Sequence, residues 1–225
     1  MYLNSAMRTA AMEDHLKTIY HLGRTAEGPV RTSAIAEAVE RTPATVSSML
    51  DRLVEEDLCE REKYRGCRLT PEGERAAIEV IRHHRLLETF LCEVLAFEPS
   101  VVHAEADRLE HHISERLEAE LAARLEDPSV DPHGHPIPSA ELEPPVARQT
   151  GTLGMVTEGA RVEVVHIADR DPAVVQFLTD AAIRPGAMVT VQAIEPTGVR
   201  QVLTDVTETA VPADIAAEIA VTEGA

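Results

Sequence analysis

The chain has 225 residues, of which 44% are hydrophobic, 3% aromatic and 27% charged, and its formal charge is −18. No apolar run reaches the roughly 18 residues of a membrane span, and the opening MYLNSAMRTAAMEDHLKTIY lacks the basic, apolar and small-residue regions of a secretory signal. Cys59, Cys67 and Cys92 are odd in number and have no C-x-x-C spacing, which argues against a disulfide framework and a thiolate zinc site. A soluble, cytoplasmic protein in a reducing compartment, built from small fused domains, is expected.

The charge is unevenly spread. Residues 1–70 hold 10 Lys+Arg against 11 Asp+Glu, leaving 11 basic and 28 acidic residues in 71–225. A nearly neutral head and a strongly acidic remainder keep nucleic-acid binding open for the head alone. Only Lys17 and Lys63 are lysines, a composition that fits a salt-loving host or a GC-rich genome.

In chain order, Met12, Leu16, Ile19, Tyr20 and Leu22 predict a helix over 8–23 that stops at Gly23. After Gly28-Pro29, a hydroxyl-capped helix is expected over 32–39, burying Ile35, Ala36 and Val39. A turn at 40–43 leads to a helix over 44–57 packed through Val46, Met49, Leu50, Leu53 and Val54. Two helices about a tight turn make a helix-turn-helix, and the hairpin expected over 58–70, with its tip at 63–66, makes a wing. Thr42, Ala44, Thr45, Ser47 and Ser48 then face DNA, with Arg41, Arg52, Lys63 and Arg65 on phosphates. No bidentate Arg or Asn base reader is evident at the helix start, so DNA shape should carry much of the specificity.

Thr70-Pro71-Glu72 starts a helix running to about Ala96, whose apolar residues cover more than one face and call for a dimer interface. A single helix is expected from Pro99 to about Leu125. His103, Asp107, Glu110 and His111 would share one face of it, at i, i+4, i+7 and i+8. His84 and Glu88 repeat the i, i+4 spacing on the helix before, and two helices offering imidazole and carboxylate can converge on a divalent cation. Six prolines in 127–150 read as a linker, in which His133 and His135 are exposed residues; His83, His112, His15 and His21 are read as exposed too. Beyond it, β-type runs at 161–167, 187–194 and 200–203, with a helical insert at 172–182, predict a small β-barrel-like domain. Glu110-His111-His112 does not have the H-E-x-x-H order of a metalloprotease, so no enzyme is expected. Cys59 and Cys67 are expected to face each other on the wing.

Met12–Tyr20, Glu62–Gly66, Arg82–Glu88, Glu110–His112 and Gly134–Pro138 together resemble the diphtheria-toxin-repressor family of metal-dependent regulators in its three-domain form. The resemblance implies a mainly α fold with β: a winged helix-turn-helix (1–70), a helical metal-binding and dimerisation domain (71–126), a Pro-rich linker (127–150) and an SH3-like domain (151–225) similar to ferrous-transport accessory proteins. It also implies one metal site from Asp14, Asp107, Glu110 and His111, and a second from His84, Glu88 and His103. Gln176 matches a further ligand whose carboxylate companion falls at Ala173, with Asp171 as a substitute. Carboxylates at Asp14 and Asp107 favour Mn²⁺, with Fe²⁺ the alternative, while Lys17 stands where manganese-type members carry a carboxylate. The resulting expectation is a homodimeric repressor of manganese or iron uptake that binds operator DNA with metal as corepressor. The rivals are a winged-helix sensor of an organic ligand, a transport-accessory protein and, more remotely, a metallohydrolase.

Overall fold

The computed structural model describes residues 8–62, 65–145 and 150–223. The chain divides into two compact units, one of residues 1–83, 110–112 and 138–144, the other of 84–109, 113–137 and 145–225.

In the first unit, α1 (Ala10–Gly23) is capped by Thr9, whose hydroxyl accepts from Met12 N. The short α2 (Thr32–Ala38) and then α3 (Pro43–Glu55) follow, α3 being capped by Thr42 with Pro43 in its first turn. Strands β1 (Cys59–Glu62) and β2 (Gly66–Leu69) pair antiparallel, Cys59 opposite Leu69 and Arg61 opposite Cys67. The helices and hairpin close over Leu16, Ile19, Ile35, Val46, Leu50, Leu53 and Cys67, with Ala76 and Ala77 from the next helix. Each such aliphatic side chain contributes about 1.5–3 kcal/mol. Gly66 has φ +125, and a Cβ there would run into the carbonyl of Val30, whose backbone pairs with Cys67. Cys59 and Cys67 are both buried on one face of the hairpin, where a hydrogen bond from Cys67 lowers the Cys59 pKa and raises that of Cys67.

Helix α4 (Pro71–Glu93) contributes residues to each unit. Most of the apolar residues assigned to a dimer face, among them Ile78, Ile81, Leu86, Leu87 and Leu91, are buried within one chain. The exposed apolar residues cluster instead around its end and just beyond, at Val94, Leu95, Phe97 and Val101.

The single helix expected over 99–125 is two helices, α5 (Pro99–Leu109) and α6 (Glu115–Arg124). Ser114 accepts from Leu117 N, and Glu115 and Glu118 lie against the positive end of α6, so a new helix start outcompetes continuation. Glu110 and His111 therefore lie beyond the end of α5 and do not share a helix face with His103 and Asp107.

The segment read as a linker is ordered over 128–145. Val130 bridges to Pro136, Asp131 Oδ1 accepts from the backbone N–H of His133 and His135, and His133 is fully buried. Gly134 has φ +91, and a Cβ there would strike the carbonyl of Val165. Val146–Gln149 of the same stretch fall outside the described residues. The C-terminal domain is an antiparallel sheet of order β3-β8-β4-β5-β6-β7. Its strands are β3 (Gly151–Thr152), β4 (Arg161–His166), β5 (Met188–Ile194), β6 (Arg200–Leu203), β7 (Glu208–Val211) and β8 (Ala220–Glu223). With α7 (Pro172–Asp180) and α8 (Ala213–Glu218) it buries Val164, Val175, Leu178, Ile183, Val191, Val202 and Ile219. β3, β7, β8 and α8 are too short, or too mixed in pattern, to be legible in the sequence.

Candidate metal centres and nucleic-acid face

In the first unit Asp14, Glu110 and His111 each present a ligand atom within 4.8 Å of the others. His111 Nε2 lies 3.0 Å from Asp14 Oδ1 and 3.5 Å from Glu110 Oε1, while its Nδ1 donates to Glu13 Oε2 at 2.7 Å. Glu13, which the sequence reading missed, thus fixes the ring and aims Nε2 at the other two, the arrangement that orients metal-binding histidines. Glu13 in turn accepts from Arg8 at 3.3 Å, and Arg8 also pairs with Glu79. Contacts with Asp14 and Glu13 raise the His111 pKa from 6.5 to about 9 against the opposing pull of burial. Glu110 is buried and holds Lys17 Nζ at 2.6 Å, and its backbone carbonyl accepts from His83 Nδ1. His83 is thereby buried, not exposed, and so is His15, which donates to Ala11 O.

In the second unit a larger cluster surrounds Glu88, whose side chain is fully buried. His84 Nε2 and His103 Nδ1 stand 3.0 and 3.2 Å from Glu88 Oε1 and 3.1 Å from each other. A triangle with edges near 3 Å is the spacing of donors about one cation at roughly 2.0–2.2 Å. Asp107 belongs to this group in the second unit, with His84 at 3.3 Å and His103 at 3.6 Å. On the other side of Glu88 come His133, at 3.7 Å, and Asp169, which together with Glu88 form a further ligand set within 4.8 Å. Glu88 Oε2, Asp131 Oδ2, His133 Nδ1 and His135 Nδ1 are buried with no hydrogen-bond partner among the described residues. Orphaned acceptors and imidazole nitrogens facing one another are what a cation would satisfy, so both donor sets fit a divalent ion.

The electrostatics agree. Burial pushes Glu88 toward neutrality, but the imidazoles of His103, His133 and His84 around it overcome this and hold the carboxyl well below its usual range. Burial likewise opposes a charged His133, yet Glu88, Asp131 and Asp169 raise its pKa to about 9. Asp169 is lowered, against burial, by His135 and His103.

Two residues of the C-terminal domain that the resemblance connects with the second site are engaged elsewhere in the structure. Gln176 is exposed, and its amide is engaged by Ser100 at 3.0 Å and Asp180 at 2.9 Å. Asp171 caps α7 by accepting from Ala173 N. Among the described residues, the carboxylate of this domain that joins the Glu88 cluster is Asp169. His133, read as an exposed linker residue, is a buried member of the same cluster; in the sequence the only hint was two histidines beside an aspartate in Asp131-Pro132-His133-Gly134-His135.

The helix-turn-helix exposes Arg41, Thr42, Ala44, Thr45, Ser48 and Arg52, while Ser47 is half-buried. Thr42 and Thr45 hydroxyls bond at 2.9 Å, Ser48 donates to Ala44 O, and Arg52 reaches back to Met12 Sδ at 3.8 Å. Arg65 is exposed beside Glu62, and Lys63 lies outside the described residues. The sequence reading missed Arg61, which pairs with Asp51 and donates to Ser47, tying wing to recognition helix. It also missed Arg31, which with Thr32, Ser33, Arg61 and Arg65 lines a cleft of about 650 Å³.

Three family models match this chain. Residues 7–67 match "Iron dependent repressor, N-terminal DNA binding domain", 70–139 its "metal binding and dimerisation domain", and 151–223 the FeoA domain. The iron-dependent repressor IdeR of Mycobacterium leprae is 35% identical over 84% of this chain and 86% of its own length. The diphtheria toxin repressor of Corynebacterium glutamicum is 33% identical over 79% and 81%. Among solved structures, a manganese-dependent transcriptional repressor in complex with manganese superposes with a TM-score of 0.85 at 30% identity, over 95% of this chain and all of the other. ScaR with bound Zn²⁺ gives 0.78 at 27%, over 95% and 99%. With the winged head, the helical pair and the FeoA sheet all present in one chain, the protein belongs to the iron-dependent, or diphtheria toxin, repressor family.

Proposed function

We propose that manganese(II), with iron(II) as the alternative, is the corepressor of this metal-dependent, DNA-binding repressor. Asp14, Glu110 and His111 hold it at one site, and Glu88 with His84, His103, Asp107, His133 and Asp169 at a second. The name of the structural relative bound to manganese and the oxygen- and imidazole-only donor sets support this choice of metal. When bound, the ion supplies a double positive charge that the clustered carboxylates share.

One observation carries the reading: Asp14 lies on α1, inside the domain matching the DNA-binding model, and faces a buried carboxylate and an oriented imidazole from the segment after α5. Glu13 holds the His111 proton on Nδ1, leaving Nε2 as a donor. Filling this site fixes α1, and α1 shares its core with the recognition helix α3 through Leu16, Ile19, Leu50 and Leu53. Ligation thereby selects among orientations of the reading head, a population shift whose size equals the differential metal affinity of the two states. Thr42, Thr45 and Ser48 meet the operator, with Arg41, Arg65, Arg31 and Arg61 on phosphates. A second copy covers the apolar group Val94, Leu95, Phe97 and Val101, giving the homodimer that a two-fold operator requires. Among the described residues no helix is long and apolar enough to cross a membrane; the proposed role is that of a cytoplasmic regulator of metal uptake genes.

The test is a gel-shift titration of the full chain on DNA from its own promoter region with Mn²⁺, Fe²⁺ or no metal, beside Asp14→Ala/His111→Ala. Metal should tighten binding by at least a hundredfold in the parent and by less than threefold in the variant. A variant that responds like the parent overturns the assignment.

A further inference from the structure

A cation already occupies part of the first site. Lys17 Nζ sits 2.6 Å from Glu110 Oε1, the same oxygen that lies 3.5 Å from His111 Nε2. The Glu110 side chain is 0% exposed and that of Lys17 18% exposed, so this is a screened contact and not a loose surface pair. Lys17 is one turn beyond Asp14 on α1, which places the ammonium and the Asp14 carboxylate on the same helix face.

We propose that Lys17 is the resident counter-ion of this site: it neutralises Glu110 when no metal is bound, and it sets the free metal concentration at which the site fills. The inference rests on the assignment of Asp14, Glu110 and His111 as ligands. A buried carboxylate without a counter-charge is costly, and the neighbouring Asp14 adds like-charge repulsion, so the empty site needs positive charge beyond that of the His111 imidazole 3.5 Å away. Lys17 supplies it from the chain itself. A divalent ion that takes Glu110 Oε1 must share that oxygen with the ammonium or expel it, and either outcome lowers apparent affinity relative to a site with a neutral residue at position 17. The flexible four-carbon stem and partial exposure of Lys17 give the ammonium a route to solvent. The same contact joins α1 to the segment after α5 without metal, so it biases the empty protein toward the arrangement that ligation fixes. Lys17 is thus a positioning and threshold-setting residue, not a ligand.

The experiment is calorimetric titration of the full chain with Mn²⁺ for the parent, Lys17→Met, Lys17→Arg and His111→Ala, in parent and Glu88→Gln backgrounds, the latter weakening the second cluster so that the two sites are resolved. Manganese EPR counts bound ions in parallel. Lys17→Met should tighten binding at least tenfold with the number of ions unchanged, and Lys17→Arg should stay within threefold of the parent. Metal-free operator binding should weaken at least threefold in Lys17→Met. Lys17→Met binding Mn²⁺ no more tightly than the parent, while His111→Ala removes one ion, overturns the role of Lys17 and leaves the site assignment standing. If His111→Ala removes no ion, the site assignment falls and this inference with it.

Discussion

The two ligand clusters use the same chemistry in opposite surroundings. Around Asp14 the site is half open: Asp14 has 52% of its side chain exposed, and the charges on Glu110 and His111 are already met by Lys17 and Glu13. Around Glu88 the centre is buried, with three imidazoles on one fully buried carboxylate and several atoms lacking hydrogen-bond partners, and Asp107 at its edge is 46% exposed. A cluster that is satisfied without metal can exchange it with the medium and report its concentration. A cluster left unsatisfied without metal gains more from filling and behaves as part of the fold. On the function proposed above, the contrast separates a sensing site from a structural one within one chain.

The strongest way to break that contrast is Glu88→Gln. Removing the charge leaves His84, His103 and His133 without their common anion, and breaking a buried ion pair costs about 3–5 kcal/mol. Urea unfolding of the metal-free chain should register this, whereas Asp14→Ala, which removes a half-exposed partner of His111, should cost less, about 1 kcal/mol or below. Equal effects from the two substitutions would erase the distinction.

pH sharpens it. His111 carries its proton up to about pH 9, and a metal ion requires the neutral ring. Affinity at this site should therefore fall about tenfold per unit from pH 9 toward pH 7 in Mn²⁺ titrations, if one proton is displaced. Metal-free stability runs the other way: the folded pKa lies above the unfolded value of about 6.5, so the contribution of His111 is fully present below pH 6.5 and is lost as pH rises through 9. A flat affinity profile with Lys17 and Glu13 intact would contradict the protonated ring.

The smallest effects concern the C-terminal domain. Asp169→Asn should weaken Mn²⁺ binding at the Glu88 cluster about tenfold, because a charged oxygen is replaced by an amide. Gln176→Ala should change it by less than twofold. The reverse order would restore the ligand that the sequence pattern suggested.

The helix-turn-helix, the wing and the pairs His84 with Glu88 and His103 with Asp107 follow helical period or tight spacing in the sequence, whereas Asp14 was implied only by the family resemblance. The end of α5 was not legible, since Val102, Ala106, Leu109 and Ile113 keep the stripe in phase through residues that the fold leaves unwound; Ser114 followed by Glu115 was the available warning. His133 and Asp169 were missed for a different reason. Their role depends on contacts across 45 and 81 residues to Glu88, and the prolines around His133 removed the periodicity that would have placed it. Lys17 was noticed as a departure from the family pattern, but only the coordinates put its ammonium on Glu110.

The close approach at Gly134 has an implication for protein engineering. Ile167 N–H donates to the carbonyl of His133, and the glycine lets the backbone run against Val165, so a buried histidine is delivered to Glu88 by a stretch clasped to the FeoA sheet. That sheet is therefore not an interchangeable cassette. A chimera spliced near residue 145 would separate Asp169 from the other five members of the Glu88 cluster and the 131–137 stretch from the sheet it is clasped to, so grafts that keep that stretch with its own sheet, the crossover falling before Asp131, should fare better.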